Sequence, residues 1–374
     1  MNAAIEQLDR ICRHIETEWR LTDNDVTAFP DIVMKWTAGL DLSAFGDLAN
    51  ITALMAVPNI ARMQEMTSFS DMYLMLWHNG RFHVEVLNWW GTDINVHDHN
   101  FSGVQCQLTG LSLNVLYDMP CEGRNSRLRR GAIGVRSAEL WQPGDRSYVR
   151  PGGQDPHTVH HLSTPTVSLL FRTIPTPDFG PQLNYFPPSV AASYTVADTP
   201  FRIKASALRL LARGPAAQFH QVFREVIAGQ TATENLFTII KMTDLLFERA
   251  HVGLLHAFAE QGEQQRAIVE AAAFRRATLF LLETLKPLPG LEQDEVMALS
   301  ILGAVFDSEG LDTVLSCLAS AGHVIDFYGA LARLHQRLAP AHRTELEKVV
   351  HLFELDELDR VLLDCADHEL CDAR

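Results

Sequence analysis

No apolar run in the 374 residues reaches the roughly 18 that a membrane-spanning helix needs. The N-terminus, Met1 to Arg20, is amphipathic and carries acids, unlike a secretion signal or a transit peptide. The six cysteines (Cys12, Cys106, Cys121, Cys317, Cys365 and Cys371) include no Cys-x-x-Cys pair. In a chain of this size that pattern predicts reduced thiols and a cytoplasmic location. Positive charge is in deficit, with 31 Lys and Arg against 46 Asp and Glu, a formal −15. That argues against nucleic acid and anionic membrane as partners. A local basic patch, Arg124, Arg127, Arg129 and Arg130, reads as a solvated loop. With 47% hydrophobic and 21% charged residues the chain is ordinary globular protein, long enough for two domains.

Three regions differ in pattern. Residues 1–66 read as a helical lead-in, with Ile5, Leu8, Ile11, Cys12 and Ile15 at helical spacing, a turn at Asp23-Asn24-Asp25, and Pro58 interrupting the apolar pattern near Met55 to Ile60. Residues 67–190 carry short β-prone runs between turn residues. Met72 to Trp77, Asn79-Gly80 and Phe82 to Trp90 form a hairpin signal. A further pair of strands flanks Thr109-Gly110 between Gly103 and Asp118. Gly131 to Leu140, Ser147 to Arg150, His157 to Leu162 and Thr166 to Thr173 complete the series, which predicts a closed barrel or a double-sheet jelly roll. The Pro-rich residues 174–200 read as a linker or a strap over the barrel. Residues 191–374 read as a helical domain: Arg202 to Arg213, Ala216 to Ala228, Thr233 to Glu260, Glu263 to Leu285, Gln293 to Phe306, Leu311 to Ser320, His323 to Leu338 and Pro340 to Cys365. A plain bundle is favoured over a repeat array. The expected fold class is α+β.

Chemistry concentrates in Gly91-Thr92-Asp93-Ile94-Asn95-Val96-His97-Asp98-His99, after the strand-like run that ends at Trp90. Histidines two apart on a strand share a face, so His97 and His99 converge as the start of a divalent-metal site. Pro156-His157-Thr158-Val159-His160-His161 supplies further candidates. Alternation places His157 and His161 on one face and His160 on the other. His161 is therefore a partner of the ligands or an alternative third ligand. Asp98 faces away from the pair. Gln105 and Gln107 are candidates for the cavity face, with sheet-surface polarity as the plainer reading. Tyr73, Tyr117 and Tyr185 are candidate cavity hydroxyls, and Cys106 is a core residue. His220, His251, His256, His323, His335, His342 and His351 share no ligand spacing and read as helix-surface or core residues.

The spacing Gly91-(five residues)-His97-x-His99-(three residues)-Gly103-(six residues)-Gly110 resembles the first cupin motif, with Gly103 where the family usually has Glu. Gly144, Pro151, Gly153 and His157 approximate the second motif with one extra residue in each of two gaps; the family's last ligand falls on His157, and His161 sits where Asn is common. Within cupins the chain is similar to cysteine dioxygenase and its thiol-dioxygenase relatives over about residues 65–180. Asn79-Gly80-Arg81-Phe82, Trp90-Gly91, Val96-His97-Asp98-His99 and Pro165-Thr166-Val167-Ser168-Leu169 run in that family's order. The resemblance implies a cupin-type jelly roll and ferrous iron held by His97, His99 and His157, with O2 and a small, thiol-bearing or acidic molecule as substrates. Three neutral ligands leave the cation its full double charge, which suits an anionic substrate group. Zinc, nickel or manganese would accept the same ligands.

The departures shape the substrate. The family's Arg before the Asn-Gly turn is absent from Asp71-Met72-Tyr73-Leu74, and the Cys that cross-links to Tyr falls on Gly103. Its Ser-x-His-x-Tyr stretch reads Ser168-Leu169-Leu170-Phe171-Arg172. Together these changes argue against free cysteine as the substrate. Ser168, Leu170 and Arg172 share what is the cavity face in that family. Arg172, whose planar fork suits a carboxylate on the substrate or on another side chain, and Ser168 are the catalytic candidates. His161, Gln105 and Tyr73 are expected around the metal. The first reading is thus a mononuclear non-haem iron dioxygenase. A second is a metal- or ligand-binding cupin sensor whose helical domain is the output surface, and a third is a cupin enzyme using another divalent metal. The helical domain carries no catalytic signature; covering the barrel mouth or forming a homodimer is its expected role.

Overall fold

Leu8, Ile11, Cys12, Ile15 and Trp19 lie on one helical stripe, and in the computed structural model that stripe is the buried face of α1 (Asn2–Arg20). The structure describes residues 2–64, 70–90, 95–120, 128–193 and 199–358. α2 (Phe29–Thr37) has Pro30 in its first turn, where a missing N–H costs nothing. α3 (Leu48–Leu54) is capped by Asp47, whose side chain accepts the Asn50 N–H at 2.8 Å. Pro58, expected to interrupt, instead starts α4 (Pro58–Met63).

The hairpin at Asn79-Gly80 forms between β1 (Met72–His78) and β2 (Phe82–Trp89). Asn79 Oδ1 accepts the N–H groups of Arg81 and Phe82, and Gly80 takes the left-handed φ of 79° that the turn requires. The remaining strands are β3 (His97–His99), β4 (Gly103–Thr109), β5 (Ser112–Asp118), β6 (Leu128–Arg130), β7 (Gly134–Trp141), β8 (Arg146–Val149), β9 (Gly152–His161), β10 (Thr166–Thr173), β11 (Leu183–Phe186) and β12 (Val190–Ser193). The chain divides into two compact units, 1–116 with 138–182, and 117–137 with 183–374.

The first unit contains an antiparallel sheet in the order β1-β2-β10-β4-β8 and an antiparallel ladder β3-β9-β5. Thr109-Gly110 does lie between two strands, but it passes the chain from one sheet to the other instead of closing a hairpin. Gly110 has φ 77°, and a Cβ there would meet Thr166 Oγ1 at 2.7 Å. Period-two alternation gives the five-stranded sheet two unlike faces. Leu74, Val84, Val86, Val104, Cys106, Val167, Leu169 and Phe171 join the stripe of α1 and Phe29 and Val33 of α2 in one core. Tyr73, Glu85, Leu87, Trp89, Gln105, Leu170 and Arg172 line a cavity on the other face. The chain is thus a mixed protein of helices and two antiparallel sheets.

In the second unit β6, β12 and β11 form an antiparallel ladder. Its helices are α5 (Thr199–Leu211), α6 (Ala216–Ala228), α7 (Ala232–Lys241), α8 (Thr243–Leu246), α9 (Val252–Ala259), α10 (Glu263–Leu279), α11 (Gln293–Ala304), α12 (Ser308–Ser320), α13 (Phe327–Arg337) and α14 (Pro340–Leu352). Phe219, Phe223, Leu236, Ile239, Leu255 and Ile268 centre one core.

Two expectations are corrected here. Residues 174–200 are not merely a linker or strap: β11 and β12 lie within them as a hairpin pairing Phe186 with Val190. Pro187 and Pro188 fall in the turn, where no ladder N–H is needed. The single helix expected from Thr233 to Glu260 is three, α7 to α9, broken at Met242 (φ −119°) and again at residues 247–251. No Pro or Gly marks either break, so apolar periodicity ran across both. The end of the last expected helix, from residue 359 to Cys365, lies outside the described residues, as do Gly91, Arg124, Arg127, Cys121 and Cys371. Arg130, on β6, pairs with Glu263 at 3.1 Å. Among the described residues no helix is long and apolar enough to cross a membrane.

Candidate metal centre

β3 and β9 bring the histidines together by register. His97 is the pairing partner of His157, and β9 continues on its other side to pair His157 with Leu116 of β5. A register shift between His97 and His99 lets both rings turn toward His157. All three are buried. Ring centroids lie 4.7 Å apart for His97 and His99, 4.9 Å for His97 and His157, and 5.1 Å for His99 and His157. One nitrogen from each ring lies within 4.8 Å of the others, and Nε2 of His99 and Nε2 of His157 are 3.1 Å apart.

Hydrogen bonds fix the tautomers. His97 Nδ1–H donates to the Asn95 carbonyl at 2.8 Å, and His157 Nδ1–H donates to Asn114 Oδ1 at 2.8 Å. The Asn114 amide is itself oriented, because its Nδ2 donates to Glu139 Oε1 at 3.1 Å. Trp141 Nε1, a donor only, holds the same oxygen at 2.7 Å. Nδ1 is thus occupied in two of the rings, and the Nε2 lone pair of His157 faces Nε2 of His99. Two ring nitrogens this close repel unless a proton or a cation lies between them. With metal–nitrogen bonds of roughly 2.0–2.1 Å, adjacent ligand nitrogens sit about 3 Å apart. The histidine set therefore fits a divalent transition metal. Burial pushes the His97 pKa down to about 4, and burial followed by neighbouring positive charge pushes those of His99 and His157 well below the ordinary range. The rings are neutral at pH 7, as metal ligands must be.

Gly103 explains the missing acid. A Cβ there would stand 2.3 Å from the Phe171 carbonyl oxygen and 3.1 Å from Arg172 Cβ. No Glu fits, so the cluster is all-nitrogen.

The cavity on which the cluster opens has a volume of about 310 Å³. Leu87, Trp89, Phe101, Val149 and Leu170 form its apolar wall. Its charged wall is built on Glu85, a buried carboxylate in the middle of β2. Arg172 Nε donates to Glu85 Oε1 at 2.9 Å, Tyr73 Oη–H donates to Oε2 at 2.7 Å, and His83 Nε2 lies 2.9 Å from Oε2. Burial raises the Glu85 pKa, but His83, Arg172 and Tyr73 outweigh it and hold the carboxyl below its ordinary range. Burial and then the Glu85 charge push the Tyr73 phenol up. The Arg172 guanidinium lies 4.7 Å from the centroid of Phe101, whose ring is 4.6 Å from that of His99.

Of the residues singled out from sequence, Tyr73, Gln105, His161 and Arg172 line this cavity beside the three histidines. His161 stands outside the three-ring cluster, stacked on Trp89 at 4.8 Å with Nδ1 3.2 Å from Ser112 Oγ. Ser168 is buried between Leu87 and Gln107 of the flanking strands and is not part of the cavity wall; its Oγ bonds to no described residue. Gln107 is spent on the turn, donating to Thr109 O and Gly110 O. Tyr117 Oη–H donates to the Ala304 carbonyl, and neither Tyr117 nor Tyr185 lines the cavity. Cys106 is on the helix-packed face, and burial pushes its thiol up to about 12. Asp98 and His160 are buried. His220 and His251 meet at 3.0 Å, a pair that sequence spacing did not suggest; among the described residues only His97, His99 and His157 form a metal-type group of three.

Glu85, Phe101, Asn114 and Glu139 were missed from sequence. Glu85 had a readable signal: a lone acid at the centre of the apolar run Phe82 to Trp89 must find a buried partner. Asn114 and Glu139 had none, because the residues joining them to His157 are 25 and 43 positions apart in the chain.

No protein-family model and no curated relative matches the sequence. Solved structures with some similarity include an RmlC-like cupin from Shewanella frigidimarina (16% identity, 31% of this chain and 88% of that one, TM-score 0.22). A DMSP lyase from Ruegeria pomeroyi matches at 13% identity over 48% of this chain and 98% of that one, with a TM-score of 0.26. A hydroquinone 1,2-dioxygenase from Sphingomonas sp. TTNP3 matches at 9% identity over 29% and 70%, with a TM-score of 0.23. At these identities and scores the likenesses carry no weight for the chemistry of this chain, which rests on its own strands and side chains.

Proposed function

We propose that His97, His99 and His157 hold a divalent transition metal, ferrous iron before zinc, nickel or manganese. In this reading the chain is a cytoplasmic, cupin-type dioxygenase of the thiol-dioxygenase-like kind, its two sheets closing as a jelly roll. The observation that carries the reading is the convergence of three buried, neutral imidazoles on one point of a cavity wall, with Gly103 leaving no room for a carboxylate among them. Iron bound there would supply the redox chemistry with O2 that side chains lack.

The chain's own residues bind and orient. Leu87, Trp89, Phe101 and Leu170 exclude water from the substrate's apolar part. Arg172 offers the substrate an anion-binding edge, since Glu85 engages its Nε and one face lies over Phe101. Gln105, Tyr73 and His161 supply hydrogen-bonding groups around the metal. Ser168, outside the cavity wall, acts through its neighbours on β2 and β4. The substrate is a small acid carrying a thiol.

The test is oxygen uptake by anaerobically iron-loaded protein offered a panel of thiols and thiol acids. The expected result is uptake matched to sulfur oxidation with at least one thiol acid and a large rise in KM on Arg172→Ala. Iron binding with no turnover removes the sulfur claim, and failure to bind any divalent metal removes the site.

A further inference from the structure

Glu85 presents a problem that the metal reading alone does not answer. A carboxylate with a side chain only 2% exposed stands in the wall of a cavity meant for an acid. Burying it costs free energy unless it is paired; beside Tyr73 and His83 it is met by Arg172, the one Lys or Arg among the described residues that line the cavity. The pair as a whole is neutral. Geometry keeps it next to the cluster: the guanidinium, Phe101 and His99 follow one another at 4.7 and 4.6 Å, so Arg172 lies within two ring spacings of the metal-type nitrogens.

We propose that Glu85 is a charge filter: by neutralising Arg172 it restricts the ligand to one carboxylate beside its metal-binding group and rejects the corresponding diacid. This rests on the reading of the histidine cluster as a metal centre. Three neutral imidazoles leave a divalent cation with charge +2, and the Arg172–Glu85 pair adds nothing. A thiolate with a single carboxylate brings the cavity to neutrality, while a second carboxylate would leave a net negative charge behind an apolar wall. The Arg172 edge left by Glu85 still orients the first carboxylate, so Glu85 selects by net charge and also positions the guanidinium. Phe101 covers one guanidinium face and leaves less room there for a second acid to approach.

Glu85→Gln separates charge from shape. The amide oxygen still accepts from Arg172 Nε, and the Tyr73 hydroxyl can rotate to accept from the amide nitrogen. The variant cavity then carries one more positive charge and should welcome the diacid.

The experiment is calorimetric titration of the zinc-loaded full chain, zinc being redox-silent, with 3-mercaptopropionate and with mercaptosuccinate. The wild type should bind the monocarboxylate at least about tenfold more tightly than the dicarboxylate, and Glu85→Gln should shift that ratio toward the dicarboxylate by about tenfold or more. A wild type that binds the diacid as tightly as the monoacid overturns the filter, whether or not Glu85→Gln folds. A folded Glu85→Gln protein with an unchanged ratio overturns it too. A zinc-loaded wild type that binds neither acid removes the substrate reading underneath, and the filter falls with it.

Discussion

Val167, Leu169 and Phe171 of β10 face the lead-in helices, while Leu170 and Arg172 of the same strand line the cavity. One step along the backbone exchanges a close-packed core for a charged wall beside three imidazoles. The same division runs through β2, where Val84 and Val86 alternate with Glu85 and Leu87, and through β4, where Val104 and Cys106 flank Gln105. One face of this sheet is close-packed core, and the other lines a cavity. The sheet can carry a buried charge pair on the second face because the first secures the strands.

Substitutions on adjacent residues should therefore fail in different ways. Phe171→Ala removes a fully buried ring and should cost about 3–5 kcal/mol in denaturant unfolding, with little dependence on pH. Arg172→Ala should cost about 3 kcal/mol at pH 7, because it leaves Glu85 buried without its partner. That second cost should be pH-dependent. The Glu85 pKa is depressed in the folded protein, so the pair's contribution is complete above the unfolded value of about 4.5 and is lost as pH falls through the folded value. The gap between wild type and Arg172→Ala should close as Glu85 becomes protonated, while the Phe171→Ala gap stays open. Equal pH profiles for the two variants would erase the distinction between the faces.

A smaller effect is expected behind the cluster. Glu139→Ala frees the Asn114 amide to turn and should weaken zinc or iron binding about 10–100-fold in a chelator competition, with the unfolding midpoint of the metal-free protein unchanged. Loss of stability without loss of affinity would make the Glu139–Asn114 link a structural contact only. The smallest effect belongs to the packed face: Cys106, buried and with its thiol raised to about 12, should resist alkylation in the native protein and react only on unfolding. Rapid native labelling at Cys106 would show that this face opens.

How much of this was legible beforehand follows the range of each signal. Period-two and helical spacing, acting over a few residues, carried the lead-in helices, the Asn79-Gly80 hairpin and the shared face of His97 and His99. They also placed Arg172 on the cavity face. They failed where a break has no Pro or Gly, as at Met242, or where prolines lie in a turn between strands, as at Pro187-Pro188. They were silent on Glu139 and Asn114, because only tertiary pairing brings Glu139 to Asn114 and Asn114 to His157. Glu85 and Arg172 each signalled the need for a buried partner, but they lie 87 residues apart in sequence and only tertiary pairing joins them.

The most direct test is the metal content of the full chain after anaerobic incubation with excess ferrous iron and removal of free ions. A metal centre of His97, His99 and His157 predicts one equivalent retained by the wild type and none by His99→Ala. Retention of no metal by the wild type, or an undiminished equivalent in His99→Ala, would contradict it.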